Sequence, residues 1–202
     1  MEYNNLELLK LHEHPHYLKP CCELINDEWP RSLTARMMSL AISCDKLPTS
    51  LILVNDQKSL LGHAKLTPIP SMPKSCFIET VVILKSMRGK RLGTHLMKEV
   101  EKYCKNVLKL EMVHLSTKGQ ENFYAKLGYE VCAPVSIYGS SITNDNTLYS
   151  MINNFITKNI TTINSISPPS PPPPPPMPEP QTVNNTTTIK TSKTFMFKYL
   201  SE

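Results

Sequence analysis

No run of apolar residues in this 202-residue chain approaches the length of about 20 that a membrane-spanning helix needs. The N-terminus has no basic stretch leading into an apolar core and a small-residue cleavage site. A soluble, cytoplasmic protein is therefore expected. The six cysteines include no C-x-x-C pair: Cys21 and Cys22 are adjacent, and Cys44, Cys76, Cys104 and Cys132 stand singly in apolar stretches. That spacing offers neither a zinc site nor a disulfide framework, so buried free thiols are expected. The histidine-rich run His12-Glu13-His14-Pro15-His16 contains a proline and falls between two elements, and reads as a solvated turn rather than a metal site; no metal is expected. Basic patches interleaved with aromatics are missing too, which argues against nucleic acid as a ligand. Neither G-x-G-x-x-G nor G-x-x-x-x-G-K-[ST] occurs among the six glycines, which removes the dinucleotide and P-loop phosphate cradles.

What is present suits one globular domain: 40% of residues are hydrophobic, and the net charge of +5 is a mild excess suited to an anionic ligand or acidic partner. Leu6 to Leu11 alternates as a strand. Leu18, Cys22, Ile25 and Trp29 recur at helical spacing up to Pro30, and Leu33, Met37, Leu40 and Cys44 predict a second helix. Strands follow over Leu51 to Val54 and Ser59 to Thr67, joined by a turn at Asn55 to Lys58. The densest signal runs from Cys76 to Thr94, where a β-branched strand breaks into a basic, glycine-bearing turn and a helix starts at once. Unpartnered N–H groups at a helix start, and the helix dipole, favour an anion there, and Arg88, Lys90 and Arg91 add positive charge. Leu92, Leu96, Val100, Tyr103 and Val107 form one stripe on the helix. Leu110 to Leu115 and Tyr129 to Ile137 read as strands around a short helix from Gly119 to Leu127.

After Gly139 the composition turns to Ser, Thr, Asn and Pro until about Ser192, with ten of the 18 prolines between Pro168 and Pro180. Thr194 to Leu200 again reads as a strand, so the segment is an insert from which the chain returns to its sheet. The expected domain is 1–138 with 193–202, and the insert is 139–192. Six consecutive prolines, Pro171 to Pro176, favour a polyproline II helix that an aromatic-lined groove can bind at low entropic cost.

The turn from Arg88 to Gly93 resembles motif A, [RQ]-x-x-G-x-[GA], of the GNAT acetyltransferases, with Arg91 where many relatives carry glycine. Gln120-Glu121-Asn122-Phe123-Tyr124-Ala125-Lys126-Leu127-Gly128-Tyr129 is similar to that family's motif B, and Gly128 is the expected left-handed C-cap. The resemblance implies an α/β (α+β) fold with a mixed central sheet of about seven strands and helices on both faces. It implies acetyl-CoA as cosubstrate, held by Val81, Val82, Ile83, Arg88, Gly89, Lys90, Arg91, Leu92, Gly93, Thr94 and Gln120. Thr117 and Gln120 also make a T-x-x-Q capping box, so Gln120 either caps the helix or reaches the pantetheine arm. Tyr124 matches the tyrosine that protonates the departing thiolate, a phenol of pKa about 10 facing a thiol of about 8.5.

For the amine, Glu79 and His114 are the candidate bases, and strict alternation would put Glu79 and Val81 on one face of their strand and Val82 on the other. An α-amino group, with pKa about 7.7–8.0, needs less help than a lysine amine at about 10.4. Trp29-Pro30-Arg31-Ser32-x-x-x-Arg36 and the polyproline insert are similar to the actin-directed N-terminal acetyltransferases of the same superfamily. That likeness implies direct transfer, in a ternary complex, to the acidic N-terminus of processed actin. Arg31, Arg36 and Ser43 would read the substrate and Pro168–Pro180 would engage profilin, in an enzyme expected to be monomeric. A lysine or small-amine acetyltransferase, or a proline-rich adaptor with a degenerate domain, are the competing readings.

Overall fold

The computed structural model describes residues 6–138 and 193–200. The expected insert 139–192, with its polyproline tract, lies outside the described residues. In chain order the elements are β1 (Glu7–Lys10), α1 (Leu18–Glu28), α2 (Leu33–Ala41), β2 (Thr49–Val54), β3 (Leu60–Pro68), β4 (Ser75–Ile83), α3 (Leu92–Asn106), β5 (Met112–Thr117), α4 (Glu121–Ala125), β6 (Glu130–Cys132) and β7 (Thr194–Tyr199). Among the described residues seven strands form one sheet in the order β1-β2-β3-β4-β5-β7-β6. Within it only the β4–β5 pair is parallel, and α3 supplies its crossover. The last strand lies between β5 and β6, pairing with both.

Both faces of the sheet are covered, and the alternation along β2 shows how. Leu51 and Leu53 face the core shared with α3, whereas Ile52 and Val54 face the core shared with α1 and α2. On α3, Leu92, Leu96, Met97, Val100 and Cys104 are buried, at the i, i+4 spacing that puts one stripe on the sheet. Each such side chain contributes roughly 1.5–3 kcal/mol of burial. Ser32 caps α2 by accepting the Ala35 N–H at 3.5 Å, and α1 stops at Trp29 because Pro30 follows. Cys76 and Cys104 meet across the first core with sulfurs 3.7 Å apart. Tyr129 to Ile137 is strand over Glu130–Cys132 alone, as three residues are all that pair with β7.

One irregularity decides which residues reach the ligand side. Lys65 pairs with Thr80 but Leu66 pairs with Ile78, so Glu79 is an extra residue in a β-bulge of β4. The extra residue overturns the expected alternation. Glu79 turns toward Lys65 and Thr67 on the α2 side, where Val82 also packs, and Val81 turns toward the α3 side.

Candidate active site

A cavity of about 500 Å³ opens where β4 meets the start of α3. Val81, Val82 and Ile83 form one wall, and Arg88, Gly89, Arg91, Leu92, Gly93 and Thr94 form its rim. Gln120, Phe123 and Tyr124 close it from the α4 side, and Glu28 and Trp29 from the end of α1. Of the residues expected to hold acetyl-CoA, all but Lys90 line this cavity; the Lys90 ammonium donates to the Met87 sulfur at 3.5 Å.

The turn is built for backbone donation. His95 N–H is the first to bond back along α3, at 3.1 Å to the Arg91 carbonyl, so those of Leu92, Gly93 and Thr94 have no partner within the helix. Gly89 has φ +78°, and Arg91 sits in the left-handed region at φ +60°, ψ +12°. A left-handed residue before the helix explains why glycine suits the position; arginine there carries strain of about 1 kcal/mol. Gly93 faces the Phe123 ring, which a Cβ placed there would meet at an ordinary contact of 3.5 Å. Arg88 does not point its charge freely at the rim. Its Nη2 bonds Glu28 at 2.6 Å and its Nε donates to the Ile83 carbonyl at 3.1 Å, tying α1 to the end of β4.

Tyr124 stands edge-on to Phe123 and Tyr129, with ring centroids 5.0 and 5.7 Å away, and burial pushes its phenol up to about 12. The helix bearing it starts differently from the sequence pattern. Thr117 stays in β5, paired with Thr194 of β7, and Gln120 makes no side-chain cap; the Glu121 carboxylate instead accepts the Gly119 N–H at 3.0 Å. Gly128, at φ +87°, closes the other end.

On the α2 side of the sheet, Glu79 accepts from Lys65 Nζ at 3.0 Å and Thr67 Oγ1 at 2.9 Å. Burial alone would raise its pKa, but Lys65, Thr67 and the more distant Arg31 hold it below the ordinary carboxylate value. His114 lies beside Phe77 on β5, buried and stacked on Phe197 at 6.0 Å, and burial lowers its pKa, so it is neutral at pH 7. The β4–β5 ladder ends at Ile78–Leu115, and the two strands part just beyond it.

Arg31 is exposed, whereas Arg36 is anchored: its Nε donates to Asn26 Oδ1 at 3.1 Å and its Nη2 to the Trp29 carbonyl at 2.7 Å. Arg36 thereby fixes the loop that carries Trp29 into the cavity wall. Ser43 is not brought together with them; its hydroxyl accepts the Ser50 N–H at 2.9 Å and meets His12 Nδ1 at 3.0 Å. Nearby, His12, Glu13 and Asp45 converge, and the Lys10 ammonium already stands between the carboxylates, at 2.5 Å from Glu13 and 2.6 Å from Asp45. Lys65 and His63 were not legible as site residues. They stand two apart on β3 outside any motif, and α1 and α2 cover their face of the sheet.

An apolar slot beside β4, a helix start offering N–H groups, and a partly buried phenol across from both suit an acyl–coenzyme A thioester, with a proton donor beside it for the departing sulfur. Residues 18–129 match the family model described as the acetyltransferase (GNAT) family, and the chain belongs to that family. It is 37% identical over 136 residues to mouse N-alpha-acetyltransferase 80, covering 64% of this chain and 42% of the mouse protein, so it spans less than half of that relative. Among solved structures, a GNAT-family acetyltransferase from Staphylococcus aureus aligns at TM-score 0.58 and 11% identity, over 98% of this chain and all of that one. A spermidine/spermine N-acetyltransferase from Vibrio cholerae aligns at TM-score 0.56 and 14% identity, over 98% and 94% of the two chains. At these identities the structural likeness speaks for the fold. The family uses acetyl-CoA, and the cavity's apolar wall and donor rim fit it. Among the described residues no helix is long and apolar enough to cross a membrane.

Proposed function

We propose that the chain transfers acetyl from acetyl-CoA to the α-amino group of an acidic protein N-terminus, with processed actin in the cytoplasm as its substrate. The observation that carries this reading is the charge beside the cavity: Lys65 pairs with Glu79, Arg31 and Arg36 act on the same carboxylate from further away, and the cavity's own Glu28 is already paired with Arg88. A cationic substrate such as a polyamine or a lysine side chain would meet repulsion there, whereas an N-terminus rich in carboxylates would be drawn in. The name of the mouse relative points the same way.

In this reading the α-amine, already partly neutral near pH 7.5 because its pKa is about 7.7–8.0, attacks the thioester carbon directly. The C–S bond breaks, and Tyr124 gives its proton to the departing sulfur. The amine's proton leaves through water to Glu79 or His114, which flank the point where β4 and β5 part. The backbone of the β4 wall, near Ile83, polarises the carbonyl. Arg88, Gly89, Lys90, Arg91, Leu92, Gly93 and Thr94 serve the pyrophosphate, and Gln120 the pantetheine arm. The enzyme acts as a monomer in this reading.

The domain in this reading is 1–138 with 193–202, interrupted by 139–192. β6 ends at Cys132 and β7 begins at Thr194, which pairs with Thr117 just before the α4 wall of the cavity. A profilin held on Pro168–Pro180 would thus keep its actin tethered near the site at raised effective concentration.

Two measurements test this. With acetyl-CoA saturating, peptides beginning with Asp or Glu should outpace neutral ones by about 10-fold or more in kcat/KM, the gain of one well-made charge pair. Peptides beginning with Lys, and spermidine, should be the poorest; a preference for either would overturn the reading. Deleting 168–180 should leave short-peptide turnover unchanged and lower turnover on profilin-bound actin. Equal turnover of that complex by both forms would remove profilin from the account.

A further inference from the structure

Lys65 is an unusual residue for the middle of a covered sheet face. It is only 8% exposed, and a buried ammonium is tolerated only when its donors are satisfied. Ser39 Oγ of α2 accepts from it at 2.8 Å, and the bulged Glu79 pairs with it at 3.0 Å. Glu79 is the open member of the pair, with 38% of its side chain exposed, so an approaching substrate meets the carboxylate first and the ammonium behind it. Around them the charges do not balance. Arg31, Arg36 and Lys65 share the one carboxylate, and His63, adjacent on β3, is neutral and wholly buried. Removing Glu79 from Lys65 without supplying another anion would leave a buried cation unpaired, which is strongly unfavourable.

That arrangement fits one ligand chemistry closely. An N-terminal aspartate presents an α-ammonium on Cα and a carboxylate on the adjacent Cβ of a single residue, and glutamate places the carboxylate one carbon further out. We infer that Lys65 and Glu79 form a split receptor for that residue, in which Lys65 takes the first side-chain carboxylate as Glu79 turns to the α-ammonium. This rests on the N-terminal acetylation reading above and names the group that sets its specificity. Two ion pairs replace one, and no charge is left unpaired. A neutral first residue offers the ammonium but no anion, so Glu79 stays with Lys65 and the amine is poorly held. A basic first residue adds a third repulsion to the existing cations. Lys65 acts as a specificity-determining residue on the substrate side and takes no part in acyl transfer. Arg31, on the exposed loop, and Arg36, on α2 behind it, then serve later acidic positions.

The experiment compares Lys65→Met and Lys65→Arg with the parent protein on peptides identical except for a first residue of Asp, Glu, Ser or Ala. Lys65→Met keeps the aliphatic stem and removes the charge. It should lower kcat/KM on the Asp and Glu peptides by about 30-fold or more, the scale of losing one partner of a desolvated pair. Turnover of the Ser and Ala peptides should hold or rise, because Glu79 is freed, and the acetyl-CoA dissociation constant should not change. Lys65→Arg should restore most of the preference for acidic peptides. Equal losses on acidic and neutral peptides would reduce Lys65 to a structural role and overturn the inference, as would an unchanged acidic-to-neutral ratio in Lys65→Met. If Lys65→Met is poorly folded by thermal unfolding, Lys65→Gln in the same comparison carries the test. A parent protein with no preference for acidic peptides would instead sink the function itself, which keeps the two failures apart.

Discussion

Replacing Tyr124 by phenylalanine is expected to lower kcat by about 10²- to 10⁴-fold while leaving the KM for acetyl-CoA nearly unchanged, the signature of a lost general acid. The ring would stay, so the edge-on contacts with Phe123 and Tyr129 survive and thermal stability should move little. Burial pushes this phenol up to about 12, above a free thiol at about 8.5, so in water the proton transfer would run uphill. The thiolate, however, is released into the same apolar cavity, and the same loss of solvation raises its affinity for a proton. The two acidities converge where the transfer happens. The shift also fixes the shape of the pH profile. A phenol raised to about 12 stays protonated across the working range, so no alkaline limb from Tyr124 should show below about pH 11. The acidic limb should follow the substrate amine, with kcat/KM rising through about pH 8 and then levelling. An active Tyr124→Phe variant would exclude the phenol as the acid, whereas a parent profile falling between pH 9 and 10 would overturn only its raised pKa.

Local order was readable in the sequence, and of the nonlocal order only the return of Thr194 to Leu200 to the sheet; the site shows where the boundary falls. The strand, basic turn and helix start from Cys76 to Thr94 lie in one stretch, and so does the motif B helix with its Gly128 C-cap; neighbouring residues determine both. Arg91 looked like a flaw in the motif, and its left-handed φ of +60° gives the reason glycine is common there. The T-x-x-Q box failed because Thr117 is held by Thr194, 77 positions further on, and no local pattern reports that pairing. Glu79's orientation depended on a bulge that exists only relative to β3. The reach of Lys65 depended on α2 folding over β3, a contact between elements far apart in the chain. Arg36 was readable as a cation but not as the anchor of Trp29, since both of its hydrogen bonds come from the packing of α2 on α1. Residues whose roles follow from their own strand or helix are visible early; those defined by a partner strand wait for the fold.

The same hidden face supplies the second large effect, on stability in acid. His63 is 0% exposed, and neither ring nitrogen has a hydrogen-bond partner among the described residues. Burial first, then the nearby charges of Lys65 and Arg36, push its pKa down to about 3. In the unfolded chain it titrates near its ordinary value of about 6.5. Between those two values the unfolded state binds a proton that the folded state refuses, so stability rises with pH across that window and is complete above it. Falling pH therefore removes about 1.4 kcal/mol per unit, up to about 4 kcal/mol near pH 3.5, the order of half the stability of a typical domain. Denaturant unfolding at pH 7.0, 5.5 and 4.5 of the parent and of His63→Leu isolates this group from the carboxylates and from His114, which both forms share. The parent's stability should fall more steeply than the variant's, by a slope of about one proton. Parallel slopes would mean that His63 takes up its proton as readily folded as unfolded, so that below about pH 6.5 the cation cluster beside Glu79 gains a further charge.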